Sequence, residues 1–272
     1  MLHSAEPGDI NADASIVQAH AFVAFRCRKA SRPFPALPKR CILGFIPQLY
    51  PYIKKNYSPE IIDFLNKGHP YYCFRRKHVS FSFLFPGIGA PLSAALLEET
   101  IAMGAETFLF IGTAGVLTEH IGRKELMLPV AAVRDEGTSL HYQRAGMDAE
   151  PDPDLLNNIR SLLTIQHIPF HEGKTWTTDA PYRETPDKVR RFRQEGCISV
   201  DMEASALFSV GWARKVRIAG LFSSRDGVFE NRWEPELPVK QESPLTVPRL
   251  FEIAADALTF DMQETQLQTN QR

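Results

Sequence analysis

The sequence lacks any apolar run able to span a bilayer. The apolar patch from Ile16 to Phe25 is broken by Gln18 and His20, and a span needs about 20 such residues. It also lacks paired cysteines. Cys27, Cys41, Cys73 and Cys197 are scattered, with no CxxC spacing and no Cys/His cluster, so reduced, buried thiols in a cytoplasmic protein are expected and a zinc site is not. Charge of one sign is missing too: 31 Lys and Arg against 32 Asp and Glu leave a formal net charge of -1. No basic surface for nucleic acid is expected, and no charged tail. The start, MLHSAEPGDINAD, has no basic stretch before an apolar one, so no secretory signal is expected.

What is present is an ordinary globular composition: 272 residues, 44% hydrophobic and 23% charged. Residues 1–39 form an extension ending in the proline-rich SRPFPALP, which suits neither regular helix nor central strand. Its apolar patch suits a helix or arm packed on the body or on another subunit. Residues 40–272 form one domain. Apolar runs suited to buried strands are CILGF, YYCF, HVSFSFLF, TFLFIG, ELMLPVAAV, PFHEGKTWTT, CISVD and VRIAGLFSS. Helical patterns lie between them: roughly 48–66, PLSAALLEETIAMG, the stretch after Asp152-Pro153, PDKVRRFRQEG, MEASALFSVGWARK, and the chain from about Pro248. Alternating strands and helices predict an α/β fold, a single-domain α/β/α sandwich on a mixed, largely parallel sheet.

Ligands in such sheets bind beyond the carboxyl ends of strands. Four motifs fall there. Gly87-Ile88-Gly89-Ala90-Pro91 brings backbone N–H groups to a helix start, which suits an anion or sugar, or simply a tight turn. It is a poor dinucleotide fingerprint, because Leu92 stands where a third glycine belongs. Gly112-Thr113-Ala114-Gly115 reads as a glycine-rich turn whose threonine can donate to a ligand or stay structural. In RDEGTSLHY, His141 suits a ligand hydroxyl, although a lone histidine is more often a hydrogen-bonded loop residue. KTWTTDAPYRET offers Trp176 and Tyr182 for packing on a heterocycle and Arg183 for forked hydrogen bonds; the alternative is a capped loop with Thr185 starting a helix. In SVDMEASAL, Asp201 and Glu203 stand near a helix N-terminus, which stabilises carboxylates by itself. A carboxylate there can also accept from two vicinal ribose hydroxyls, with Met202 as a soft surface for the ring.

PGIGAP, FIGTAG, AVRDEGTSLHY and SVDMEASAL, in that order, resemble the nucleoside phosphorylase superfamily over about residues 40–260. The EGTSLHY segment is closest to the uridine phosphorylase branch. The resemblance implies cleavage of the N-glycosidic bond of a nucleoside, uridine or related, with phosphate as co-substrate and no metal or other cofactor. Glu203 would hold the ribose hydroxyls, with Met202, Thr113 and His141 beside the sugar. Gly89 and Thr113 would take the phosphate side. Trp176, Asp179, Tyr182, Arg183 and Ser224 would surround the base. Arg225 or Asp226 would assist its departure, by stabilising an anion or by protonating a purine nitrogen. A homo-oligomer, dimer or hexamer, is implied, with a subunit edge completing the site.

The sequence departs from that pattern at the phosphate. Phosphorylases carry an arginine in the first strand's loop, where this chain reads Gly44-Phe45-Ile46-Pro47-Gln48-Leu49, and another at the position of Phe110. Each charge-assisted contact is worth roughly 1.5–3 kcal/mol. Arg75, Arg76 and Lys77 offer replacement cations for a neighbouring subunit, or form a solvated hairpin turn. A nucleoside hydrolase, with Phe110 excluding phosphate, and a nucleoside-binding protein without chemistry are the alternatives.

Overall fold

The structure, a computed structural model, describes residues 15–241 and 244–260. Its first half runs α1 (Ala19–Ala30), β1 (Arg40–Gly44), α2 (Leu49–Tyr57), β2 (Glu60–Ile62), β3 (Tyr71–Arg76), β4 (Val79–Leu84), α3 (Ala90–Ala102), β5 (Thr107–Val116) and β6 (Leu126–Asp135). The second half runs α4 (Pro153–Ile165), β7 (Phe170–Thr178), α5 (Pro186–Gln194), β8 (Cys197–Asp201), α6 (Ala204–Arg214), β9 (Arg217–Phe229), β10 (Arg232–Glu234) and α7 (Val247–Ala257).

The strands form one mixed sheet in the order β10-β9-β6-β7-β8-β5-β1-β4-β3-β2. β5 also pairs with β9, so β5, β9, β6, β7 and β8 close into a ring. Helices cover both faces, as the apolar runs predict, because successive strand residues point to opposite sides. Cys41 and Leu43 of β1 and Phe108 and Phe110 of β5 join one core with α1, α3 and α6. Ile42, Leu109 and Ile111 join the other core with α2, α4 and α7. α5 closes the ring's outer side, where Val189 and Phe192 pack on Trp176 and Val200.

Three expectations are corrected. The helix expected over 48–66 ends at Tyr57, because Ser58 takes a left-handed conformation (φ 45°) and Pro59 follows; the chain then forms β2. The GTAGVL stretch is not a turn. β5 continues through it, since Gly115 and Val116 pair antiparallel with Val200 and Ser199 of β8. β9 likewise continues past Ser224 to Phe229 and folds back into β10.

Part of the extension is also described: α1 packs against α3, with Val23 and Cys27 in the core. Arg76 at the end of β3 and Lys77 in the turn after it find partners within the chain. Arg76 bonds Glu252 and Asp256 of α7, both at 2.7 Å, and Lys77 reaches Asp256 at 3.1 Å. Two of the three cations are thus committed within the chain. Among the described residues, no helix is long and apolar enough to cross a membrane.

Candidate active site

The end of β8 shows why two acids flank Met202. Asp201 is buried, and its Oδ1 accepts from the backbone N–H groups of Glu203 and Ala204, both at 2.7 Å. Its Oδ2 accepts from the Thr175 hydroxyl at 2.7 Å, and the Thr177 hydroxyl adds a longer bond at 3.2 Å to Oδ1. Thr177 accepts in turn from the Ser205 N–H at 3.0 Å. Asp201 therefore satisfies the free N–H groups at the head of α6 and ties that head to β7. Burial pushes its carboxyl up, and these four hydrogen bonds oppose that.

Glu203 is left for another task. Its Oε1 accepts from the Gly89 N–H at 2.6 Å. Gly89 caps α3 with φ 97°, a left-handed conformation that favours glycine. The carboxyl of Glu203 thus lies between the heads of α6 and α3. Burial, reinforced by the charge of Asp201, raises it from 4.5 to about 8, against the N–H groups of Gly89 and Met202. Exposed Thr113 lies on β5 two residues before Gly115, which pairs with Val200 near the end of β8, and Met202 is half-buried.

The loop after β6 forms another wall. The Ser205 hydroxyl donates to Glu136 at 2.9 Å, and Glu136 accepts from the Ser139 N–H. Arg134 threads the loop, donating to the Ser139 hydroxyl and to the carbonyls of Gln143 and Met147. The Gly137 N–H donates to Asp179 at 3.0 Å. A cavity of about 510 Å³ opens between this loop and α3, lined by Pro91, Ala94, Ala95, Gly137, Thr138, His141, Tyr142 and Asp179. His141 and Asp179 therefore share one cavity, on the side of α3 that carries Pro91.

Other residues expected at the base are placed differently. Trp176 has 0% exposure; its ring lies 4.6 Å from that of Phe192, and its N–H donates to Asp135, which also holds Lys188. It offers no face to a ligand. Ser224 is buried, accepting from the Glu125 N–H and donating to the Gly122 carbonyl, so its hydroxyl is spent on the fold. Tyr182 and Arg183 form an exposed turn, Tyr182 at 98%. Arg225 points outward. Asp226 is tethered by the Trp233 indole at 2.8 Å. A residue that sequence reasoning missed stands beside it: half-buried Glu184, raised to about 7 by burial and by the charge of Asp226. An acid just before a Thr-Pro helix start gives no signal to separate it from an ordinary cap.

The chain just after β1 and the middle of β5 are aromatic. Phe110 does not reach the site, being fully buried against Phe208 and Phe222. Phe45 does come close: a side chain on Gly112 would start 3.2 Å from its Cβ, so glycine is what admits Phe45 beside the Thr113 strand.

Two helix heads joined by one buried carboxylate lie over the strand ends of an α/β/α sandwich, the place where ligands bind in doubly covered sheets. The chain belongs to the phosphorylase superfamily, whose family model matches residues 39–258. It is 30% identical to a guanosine phosphorylase of Halorubrum lacusprofundi over 179 residues, 64% of this chain and 73% of that one. It is 29% identical to the uridine phosphorylase of Salmonella typhimurium over 189 residues, 63% and 72% of the two chains. In fold it resembles the crystal structure of an AMP nucleosidase from Bacteroides thetaiotaomicron, with a TM-score of 0.70 at 20% identity over 89% of this chain and 96% of that one.

Proposed function

We propose that the protein cleaves the N-glycosidic bond of a nucleoside by phosphorolysis, releasing the free base and ribose 1-phosphate. The observation that carries this reading is Glu203, buried and held by the Gly89 N–H at 2.6 Å. The carboxylate is thereby oriented, and its remaining lone pairs can accept from the vicinal ribose hydroxyls. Thr113 and Met202 flank the sugar in this reading, and His141 and Asp179 line the cavity beside the start of α3. Phosphate attacks the anomeric carbon as the C–N bond breaks, and the bonding pair leaves with the base. The Glu203 charge favours the oxocarbenium-like transition state. Glu184, beside the charge of Asp226, supplies the proton that a purine leaving group needs, a carboxyl near 7 being a competent donor at neutral pH. Arg183 and Arg225 suit a uracil-type anion instead, so uridine and guanosine are both substrates to test. No metal or redox cofactor enters this chemistry.

A second reading is hydrolysis, and a specific feature favours it. The loop from Gly44 to Leu49 holds no arginine and Phe110 stands at the position of the other one, so neither place offers phosphate a charge. A nucleoside panel with and without phosphate, reading base and sugar products, separates the two. Turnover that depends on phosphate and yields ribose 1-phosphate supports phosphorolysis; unchanged turnover in phosphate-free buffer overturns it. Ile88, Leu92 and Leu140, 71%, 40% and 52% exposed around the α3 head, support assembly with a second copy, which light scattering tests.

A further inference from the structure

His69 lies outside every motif considered above. It precedes β3, which runs antiparallel to β4 with Tyr72 opposite Phe83. Continuing that register brings His69 level with Pro86, on the rim of strand ends that carries Gly87 and Gly89. Its Nδ1 lies 2.9 Å from the Phe85 carbonyl oxygen. A carbonyl only accepts, so Nδ1 carries the proton and donates. The Phe85 N–H is held as well, donating to the Tyr50 hydroxyl at 3.1 Å, and that hydroxyl donates to the Pro70 carbonyl at 2.8 Å. Both backbone groups of Phe85 are thus tied to the segment around His69. The imidazole also abuts the turn itself: a side chain on Gly87, whose φ is 88°, would start 3.2 Å from its Cε1. The segment is anchored from behind. Arg26 bonds the Leu65 carbonyl and the Asn66 side chain, and buried Asn66 donates to Glu99 of α3 at 2.8 Å.

We propose that His69 is a positioning residue. Through the Phe85 carbonyl and the flank of Gly87 it fixes the turn whose Gly89 N–H orients Glu203. This rests on the reading of Glu203 as the ribose-binding carboxylate. The groups that face Glu203 are Asp201 and the N–H groups of Gly89 and Met202. Loosening the turn removes one of the two N–H groups that favour its charged form. Two effects follow together: weaker ribose binding and a carboxyl that ionises at higher pH.

The test uses three variants of the full chain. Asparagine places an amide N–H near the position of Nδ1, whereas glutamine places its amide near Nε2. His69→Ala and His69→Gln are expected to raise KM for the nucleoside about 10-fold, the effect of one hydrogen bond to a charged group. The acid limb of kcat/KM is expected to move up by about one pH unit, with kcat less affected. His69→Asn is expected to restore both. Carbon-13 NMR titration of the Glu203 carboxyl reads the same displacement without turnover. A wild-type chain that cleaves no nucleoside therefore overturns the proposed function, while the titration still decides this inference. An unmoved Glu203 titration in His69→Ala overturns it, as does a variant set in which only thermal stability changes. Equal rescue by glutamine and asparagine also overturns it.

Discussion

Replacing Glu203 with glutamine separates what this acid does for the ligand from what it does to the fold. The wild-type carboxyl is raised from 4.5 to about 8, chiefly by burial. Because the folded value is the higher one, the folded chain binds the proton more tightly than the unfolded chain. Stability from this group is fully present below about pH 4.5 and is lost progressively as pH rises through about 8. At 1.36 kcal/mol per unit, the loss is about 3 kcal/mol at pH 7 and below about 1 kcal/mol at pH 5. Glutamine keeps an amide oxygen for the Gly89 N–H and never ionises. Glu203→Gln is therefore expected to melt higher than wild type, by about 6–12 °C at pH 7 for a chain of this size. The gain shrinks toward pH 5. At pH values where Glu203 is ionised, the same variant gives up two charge-assisted contacts to ribose, lowering kcat/KM by roughly 10²–10⁴-fold. Scanning calorimetry at several pH values, with base release measured on the same preparations, reads both effects. Equal melting temperatures at about pH 8.5 refute the burial argument, and near-normal turnover refutes the ribose role.

The remaining predictions concern the fold around the site. Arg76→Ala leaves Glu252 and Asp256 without their guanidinium and is expected to destabilise the chain by about 3 kcal/mol in urea unfolding. Arg76 and Lys77 hold Asp256 below its usual range, so its stabilisation is present above about pH 4 and is lost as pH falls through the folded value. The difference between variant and wild type is accordingly expected to close in acid, and a constant difference counts against the pairing. Trp176→Phe keeps the packing on Phe192 but loses the bond to Asp135, which is expected to reduce stability by about 1 kcal/mol with KM unchanged. A large rise in nucleoside KM with intact stability would put the indole at the base after all.

Most of the fold is legible in the sequence because buried strands must be apolar along their whole length. CILGF, HVSFSFLF and TFLFIG announce themselves that way, and the Pro-first, Gly-last pattern marks α3. β2 and β10 are too short and too polar to announce anything. The glycines of β5 mislead, since they mark close approach and not a turn: Gly112 admits Phe45, and Gly115 lies against Val200 and Val228. Glu203 is legible from its motif. Trp176 is misread, although alternation held the clue: Thr175 and Thr177 both reach Asp201, so the residue between them faces away. His69 and Glu184 are silent in sequence, because their neighbours, Phe85 and Asp226, are brought to them only by strand pairing and the packing of α5.

The closure of the sheet into a ring has a consequence for synthesis. Thr107 of β5 pairs with Arg217 of β9, 110 positions later in the chain (217 minus 107). At roughly 5–20 residues per second, the ribosome exposes β5 for several seconds or more before its partner strand exists. During that interval the strand that carries Thr113 has an open hydrogen-bonding side, the kind of edge that recruits other chains. The nascent chain is therefore most prone to aggregate between the emergence of β5 and that of β9. A chain truncated before Arg217 should be insoluble where the whole protein is not, even though it keeps Thr113, Gly89 and Glu203.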